Sequence, residues 1–383
     1  MPAFTADERT LLMESLDDFF SARYPFERFR KLSAREHPDG YGREEWAAYA
    51  ELGWLGVALP ERAGGSGGGL TELAIVMASA GRALAMEPLV STLVMGAGAI
   101  ERAGSATQQS LLAEIGRGAL TISWCHTEPG AGYARAYVRT TASVTGDGFV
   151  LSGEKSFTLH AHNAERLLVS ARLGGEDGPL ALFVVPAESE GIHRKVASFL
   201  DGRRGAALTL RNVEVPAEAL LGEASGGTVA DRTELIESLI DRGALAVCAE
   251  AAGAMAAVTE QTVAYLKTRE QFGQPLSRFQ VLQHRMVDMS LSAEEARAAT
   301  HSALNAHDGG DPDVRLKIWR AKVQTARSAR FVGGQAIQLH GGMGMTDELA
   351  IGHYYKRLTV CEHLFGDGEW YLRQLAAGAC AAA

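Results

Sequence analysis

The chain has 383 residues, 46% of them hydrophobic and 22% charged, a composition that supports more than one buried core and excludes a small binding module or wholesale disorder. Against 37 Lys and Arg stand 46 Asp and Glu, a formal net charge of −9 that repels a phosphate backbone and argues against nucleic-acid binding. Apolar stretches such as residues 89–100 are broken by Ser, Thr and Gly and fall short of the roughly 20 residues of a membrane-spanning helix, so no membrane span is expected.

Residues 1–20 carry Asp7, Glu8, Glu14, Asp17 and Asp18 where a secretory leader needs a basic start and an apolar run, and they read as the first helix of a cytoplasmic protein. From Thr5 to about Gly118 the pattern is helical, with Leu11, Leu12, Leu16, Phe19 and Phe20 recurring at three- and four-residue steps. Residues 64–69, a run of five glycines and Ser66, interrupt it. They are expected as a loop, either a plain connection or a cover over a ligand, with Thr71 capping the next helix.

Between about 120 and 222 the texture becomes β: residues 137–144, 149–152, 167–171, 180–185 and 207–213 are rich in β-branched and apolar residues, and Gly146-Asp147-Gly148 signals a hairpin. Strands at this spacing close into a barrel or sandwich. After Gly226-Gly227 the helical period returns over 235–269, with small residues dense at 243–257 that allow close helix packing, and continues over 279–300 and 311–339. The expected fold is α+β: an N-terminal α-helical domain (1–118), a central β-barrel domain (119–226) and a C-terminal four-helix bundle (227–383). Cysteines 125, 248, 361 and 380 are too scattered for a zinc site or a disulfide framework, so no metal is expected.

Three motifs carry chemistry. Trp124-Cys125-His126-Thr127-Glu128-Pro129-Gly130-Ala131-Gly132 ends a strand and exposes backbone N–H groups, which suits an anion or a flavin edge as well as a plain strand exit. Arg269-Glu270-Gln271-Phe272-Gly273-Gln274-Pro275 ends one helix at Gly273 and opens another after Pro275; its Arg and ring can pair a phosphate and cover an adenine. Gln338-Leu339-His340-Gly341-Gly342-Met343-Gly344 lets backbone amides approach a pyrophosphate, yet lacks the spacing and βαβ setting of a dinucleotide fingerprint.

In this order these motifs resemble the acyl-CoA dehydrogenase family of flavoproteins. The resemblance extends to Leu59-Pro60-Glu61, Gly81-Arg82-Ala83-Leu84, Leu151-Ser152-Gly153-Glu154-Lys155 and Leu364-Phe365-Gly366-Asp367, nearly the whole chain. It implies FAD bound between the barrel and the bundle at a subunit interface. Trp124, His126, Thr127, Gly132 and Phe157 would line the flavin ring, and Arg269, Phe272, Phe279, Gln280, Gln338 and Gly342 would grip adenosine and pyrophosphate in the neighbouring subunit. It also implies an acyl-CoA substrate, α,β-desaturation by a carboxylate base with hydride transfer to flavin N5, and an electron-transfer flavoprotein as acceptor.

The chain departs from that pattern where the base should stand. One family position is a Glu before a Gly, and here Phe365 precedes Gly366; the other lies 22 residues before Tyr265 and is Gly243. The nearest carboxylates are Asp367, Asp241 and Glu250, and each is a candidate base; Asp367 also matches a polar residue that touches FAD adenosine. Tyr133 replaces a small hydroxyl residue at the acyl pocket, Leu159 replaces a residue that bonds flavin, and Arg242 is a candidate partner for a CoA phosphate. His126 is open between a wall of the flavin site and a satisfied core histidine. Four readings follow: a dehydrogenase with an unusual base, a homodimer or homotetramer; a base-less FAD-binding subunit of a heterotetramer with a homologous chain; a flavin monooxygenase on the same fold; and a flavin-free scaffold.

Overall fold

A computed structural model describes residues 4–222 and 229–381; the expected boundary at 226/227 and its Gly pair lie outside the described residues. The chain opens with helices α1 (Ala6–Arg23), α2 (Phe26–Ser33), α3 (Arg43–Glu51) and α4 (Leu70–Arg82), a π-helical turn at Val90–Ala97, and α5 (Gly98–Ala103), α6 (Ala106–Gln109) and α7 (Leu111–Gly116). Thr5 and Glu8 form a reciprocal capping box that starts α1, whose inner face is Leu16 and Phe20, while Leu11 points outward at 64% exposed. Thr71 is not a cap: α4 begins one residue earlier, and the Thr71 hydroxyl donates instead to Asp308 at 2.5 Å. Residues 64–69 do form a loop, pinned back by Ser66 N on Gly56 O, Gly67 N on Leu59 O and Gly68 N on Val57 O.

Seven strands follow: β1 (Ile122–Cys125), β2 (Thr141–Val144), β3 (Gly148–Leu159), β4 (Arg166–Leu173), β5 (Leu180–Pro186), β6 (Ile192–Ser198) and β7 (Arg204–Pro216). One edge of β4 takes β1 and then β2, both parallel, and the other takes β5 antiparallel; β2, β3, β7 and β6 continue antiparallel. The sheet curls around one core that includes Leu151, Leu167, Val169, Phe183, Leu208 and Val213. The hairpin at 146–148 joins β2 to β3. The strand expected over 137–144 is only its last four residues, because side chains satisfy the preceding backbone: Arg172 donates to Ala136 O and Val138 O, and Glu128 accepts from Arg139 N and Thr140 N. Strand β6 was not expected; its charged, exposed side chains hide the strand period.

Helix α8 (Thr233–Thr268) stops five residues short of Gly273, and a two-stranded hairpin intervenes, β8 (Glu270–Gln271) with β9 (Gln274–Pro275). Its turn residues Phe272 and Gly273 both have positive φ, 54° and 80°, the backbone of a tight hairpin. Then come α9 (Gln280–Asp308), α10 (Val314–His340), α11 (Ala350–His363) and α12 (Gly368–Ala381). Helix α8 is the one described helix long and apolar enough to cross a membrane by length and composition, beyond what residues 89–100 suggested; 89% of its most apolar window is buried within the protein.

By contact the chain forms two compact units. One comprises Met1–Leu32, Leu70–Ala85 and Ala244–Ala383; the other comprises Ser33–Gly69 and Met86–Gly243. In the first, α4 and α8 cross at their small residues: a Cβ on Gly81 would stand 2.0 Å from Glu250 O, and one on Gly253 1.9 Å from Ala78 O. Cys125, Cys248 and Cys361 are buried and unbridged; the side chain of Cys380 lies outside the described residues.

Candidate active site

In the sheet-bearing unit, the chain leaves β1 at Cys125 and turns away through Pro129, Gly130 and Gly132. Glu128 holds this departing segment. Its Oε2 accepts from Arg139 N at 2.6 Å, and its Oε1 accepts from Thr140 N at 3.1 Å, Thr140 Oγ1 at 2.6 Å and Lys155 Nζ at 2.6 Å. Both charged side chains of the Glu128–Lys155 pair are buried. Burial pushes the Lys155 pKa down; burial also pushes Glu128 up, but Lys155 and Thr140 more than offset this and hold the carboxyl below its usual range.

His126 is buried, with Nδ1 2.9 Å from Ser170 Oγ on β4 and Nε2 2.9 Å from Arg135 O. Burial, and then the Lys155 cation, push its pKa down to about 4, so the ring is neutral near pH 7. Both ring nitrogens are thus engaged inside the unit, and a ligand would meet the ring face or the backbone. The Trp124 and His126 rings lie 5.3 Å apart at 31°, half-buried Phe157 packs on Phe199 with centroids 4.4 Å apart, and Thr127 and Gly132 are exposed. As pH falls, the unfolded chain takes up this proton near 6.5 and the folded chain only near 4. Stability should therefore be lost progressively across that window, by up to about 3 kcal/mol. Thermal unfolding of His126→Gln is expected to show a flatter dependence between pH 6.5 and 4 than the parent protein.

The candidate bases are all engaged. Asp241, near the start of α8, is ion-paired with Arg135 at 2.7 Å, both side chains under a tenth exposed. Glu250, two turns on, meets Arg357 of α11 at 2.9 Å in the interior of the helical unit. Asp367 is half-buried and caps α12, its Oδ1 accepting from Trp370 N at 2.7 Å. Before it stand Phe365 (φ 62°) and Gly366 (φ 115°), with Tyr371 Oη donating to Phe365 O. Arg242 is half-buried beside Asp241 on α8, and Tyr133 is half-buried in the loop after Gly132. Nothing in the sequence marked Arg135, Ser170 or Arg357 as partners, since each contacts a residue far along the chain.

In the helical unit, Tyr265 near the end of α8 stacks on His340 at the end of α10, centroids 4.2 Å apart and planes at 26°. This brings the segment of Arg269 beside the Gln338–Gly342 turn. Arg269, Gln280, Gln338 and Gly342 are exposed, and Phe272 is 89% exposed at the hairpin tip, edge-on to half-buried Phe279 at 6.1 Å. A Cβ placed on Gly341 or Gly342 would meet no atom within 4 Å, so the backbone there is open to a bulky ligand. An exposed guanidinium, an unburied ring and uncrowded backbone at two glycines fit the adenosine and diphosphate of FAD.

Known proteins match this arrangement along the whole chain. Residues 6–118 match the acyl-CoA dehydrogenase N-terminal domain, 123–213 the middle domain and 233–380 the C-terminal domain. The probable acyl-CoA dehydrogenase YngJ of Bacillus subtilis is 30% identical over 354 residues, 89% of this chain and 90% of its own. Acyl-CoA dehydrogenase FadE12 of Mycobacterium tuberculosis is 31% identical over 356 residues, 90% of this chain and 89% of its own. A solved structure described as a variant of the Tcur3481-Tcur3483 steroid ACAD is 31% identical with a TM-score of 0.87, covering 98% of this chain and 99% of that one. Three domain matches in unbroken order, over a fold of helices, curled sheet and helical bundle, place the chain in the acyl-CoA dehydrogenase family, FAD-dependent oxidoreductases that act on CH–CH bonds.

Proposed function

We propose that this chain serves the α,β-desaturation of an acyl thioester as an FAD-holding member of a pair of unlike, homologous chains, with the proton-abstracting carboxylate on the other chain. The observation that carries this reading is the commitment of every candidate base: Asp241 to Arg135, Glu250 to Arg357 and Asp367 to the first turn of α12, with Phe365 and Gly243 at the two family positions. A carboxylate already bonded to a guanidinium or a helix terminus has oxygen lone pairs committed to that partner and is turned from a substrate. The two-name description of the Tcur3481-Tcur3483 relative supports the pairing.

FAD supplies acceptance of the β-hydrogen as hydride. This chain's residues bind and orient: Arg269, Phe272, Phe279, Gln280, Gln338, Gly342 and Asp367 for adenosine and diphosphate, Trp124, His126, Thr127, Gly132 and Phe157 for the ring system, Tyr133 and Arg242 for the acyl-CoA. The three-domain division, with boundaries at 118/119 and 226/227, and an electron-transfer flavoprotein as acceptor belong to the same reading.

The test is anaerobic titration with short, medium, branched and steroid-like acyl-CoAs while the visible flavin band is followed. The chain expressed alone is expected to keep its band; co-expressed with a homologous chain carrying Glu before Gly at the position of Phe365, it is expected to bleach with one of them. Bleaching by the lone chain would overturn the proposal, with Asp241→Asn and Asp367→Asn compared next. Rapid oxygen consumption by the lone chain with a reductant would favour a monooxygenase instead.

A further inference from the structure

We propose that Ser170 is a positioning residue for the flavin ring: its hydroxyl locks the neutral His126 imidazole in a single tautomer and plane, fixing the face that the segment 124–127 presents. The inference rests on the placement of the ring system against that segment. It begins with donor counting. Lys155 Nζ has three protons and no lone pair, and it reaches Glu128 Oε1 at 2.6 Å, Ser170 Oγ at 3.1 Å and His126 O at 3.5 Å. Ser170 Oγ therefore accepts from the ammonium, and its own proton is left to point at His126 Nδ1, 2.9 Å away. Ser170 is fully buried, so a hydroxyl proton aimed elsewhere would be unsatisfied.

The opposite side of the ring reaches the same assignment. Nε2 faces the Arg135 carbonyl oxygen at 2.9 Å, and a carbonyl can only accept, so Nε2 carries the proton and Nδ1 is the acceptor. Three strands are tied through this ring: β3 through Lys155, β4 through Ser170 and the exit of β1 through His126, with the loop carbonyl of Arg135 closing the circuit. The groups acting on His126 are thus Ser170, the Lys155 cation, the Glu128 carboxylate beyond it, the Arg135 backbone and cation, and the Trp124 ring. Without the Ser170 hydroxyl, Nδ1 is a buried acceptor with no donor, and the ring is free to tilt on the side away from Arg135.

Two measurements on the holoprotein test this. Nitrogen-15 NMR of histidine-labelled protein, assigned by loss of signal in His126→Gln, should show a protonated Nε2 and an unprotonated Nδ1 across neutral pH; a proton on Nδ1 in the parent protein would overturn the proposal whether or not Ser170→Ala folds. In Ser170→Ala the FAD dissociation constant should rise about tenfold, the loss of one buried hydrogen bond, with a change in the near-ultraviolet flavin circular dichroism. An Ala variant with unchanged FAD affinity and dichroism would overturn the positioning role. Trp124→Ala separates that failure from failure of the underlying placement, since an FAD affinity indifferent to both substitutions means that the ring lies elsewhere.

Discussion

Arg357→Met is expected to lower the unfolding free energy by about 3–5 kcal/mol, the cost of leaving a buried charge without its partner. Arg357 is 1% exposed and Glu250 2%. Besides the 2.9 Å ion pair, the guanidinium donates to Ala85 O at 3.0 Å and Leu84 O at 3.4 Å, just past the end of α4 where Leu84 has φ 55°. One side chain thus satisfies the carboxylate and the strained exit of a helix. The double variant Glu250→Met with Arg357→Met should recover much of the loss, because it removes both charges. Lys356→Met, the neighbour whose partner Asp347 is 81% exposed, should cost within about 1 kcal/mol. Urea denaturation of the four proteins checks the set. A further variant, Glu250→Gln, bears on chemistry: a base would lose turnover while the fold held, whereas a packing pair loses both together.

The second large effect is expected at Lys155. Lys155→Met strands the Glu128 carboxylate inside the sheet-bearing unit, at a cost again of about 3–5 kcal/mol. It also frees the loop of residues 129–139, whose closure onto Thr140 depends on that carboxylate being held in place. Exposed Arg139 then becomes a tryptic site, so limited proteolysis should cut the variant there well before the parent protein. Adding Glu128→Gln should restore much of the midpoint by removing the uncompensated charge. An unchanged melting temperature and digestion pattern in the single variant would show that the pair carries no such weight.

How much could be read in advance depended on the range of the interaction. The onset of helical pattern at Thr5, the glycine turn at 146–148 and the small residues of α8 are local patterns, and each marks a structural feature that the chain adopts. The fold class followed from the same periodicities. Strand β6 was missed because its exposed residues do not alternate, and the shortened β2 because Arg172 and Glu128, distant in sequence, take over the backbone of 136–140. Helix α8 was expected to reach Gly273, but the pair Phe272-Gly273 belongs to a hairpin turn. At the site, the empty base positions were visible by counting, while the fate of the substitutes was not. Glu250 and Arg357 are 107 residues apart, and no local signal joins Asp241 to Arg135 or Ser170 to His126.

The curled sheet leaves its two outer edges in different conditions. That of β5 is covered, with Leu221 N on Leu182 O and Arg232 N on Leu180 O. Strand β6 pairs only with β7 among the described strands, so its other side offers a ladder of backbone groups that a second copy could extend. Arg194 and Lys195 stand along it, and two such edges meeting would bring like charges together. The same cationic run that concealed this strand from periodicity thus protects the protein against edge-to-edge aggregation, while Val196, 54% exposed, marks where that protection is thinnest.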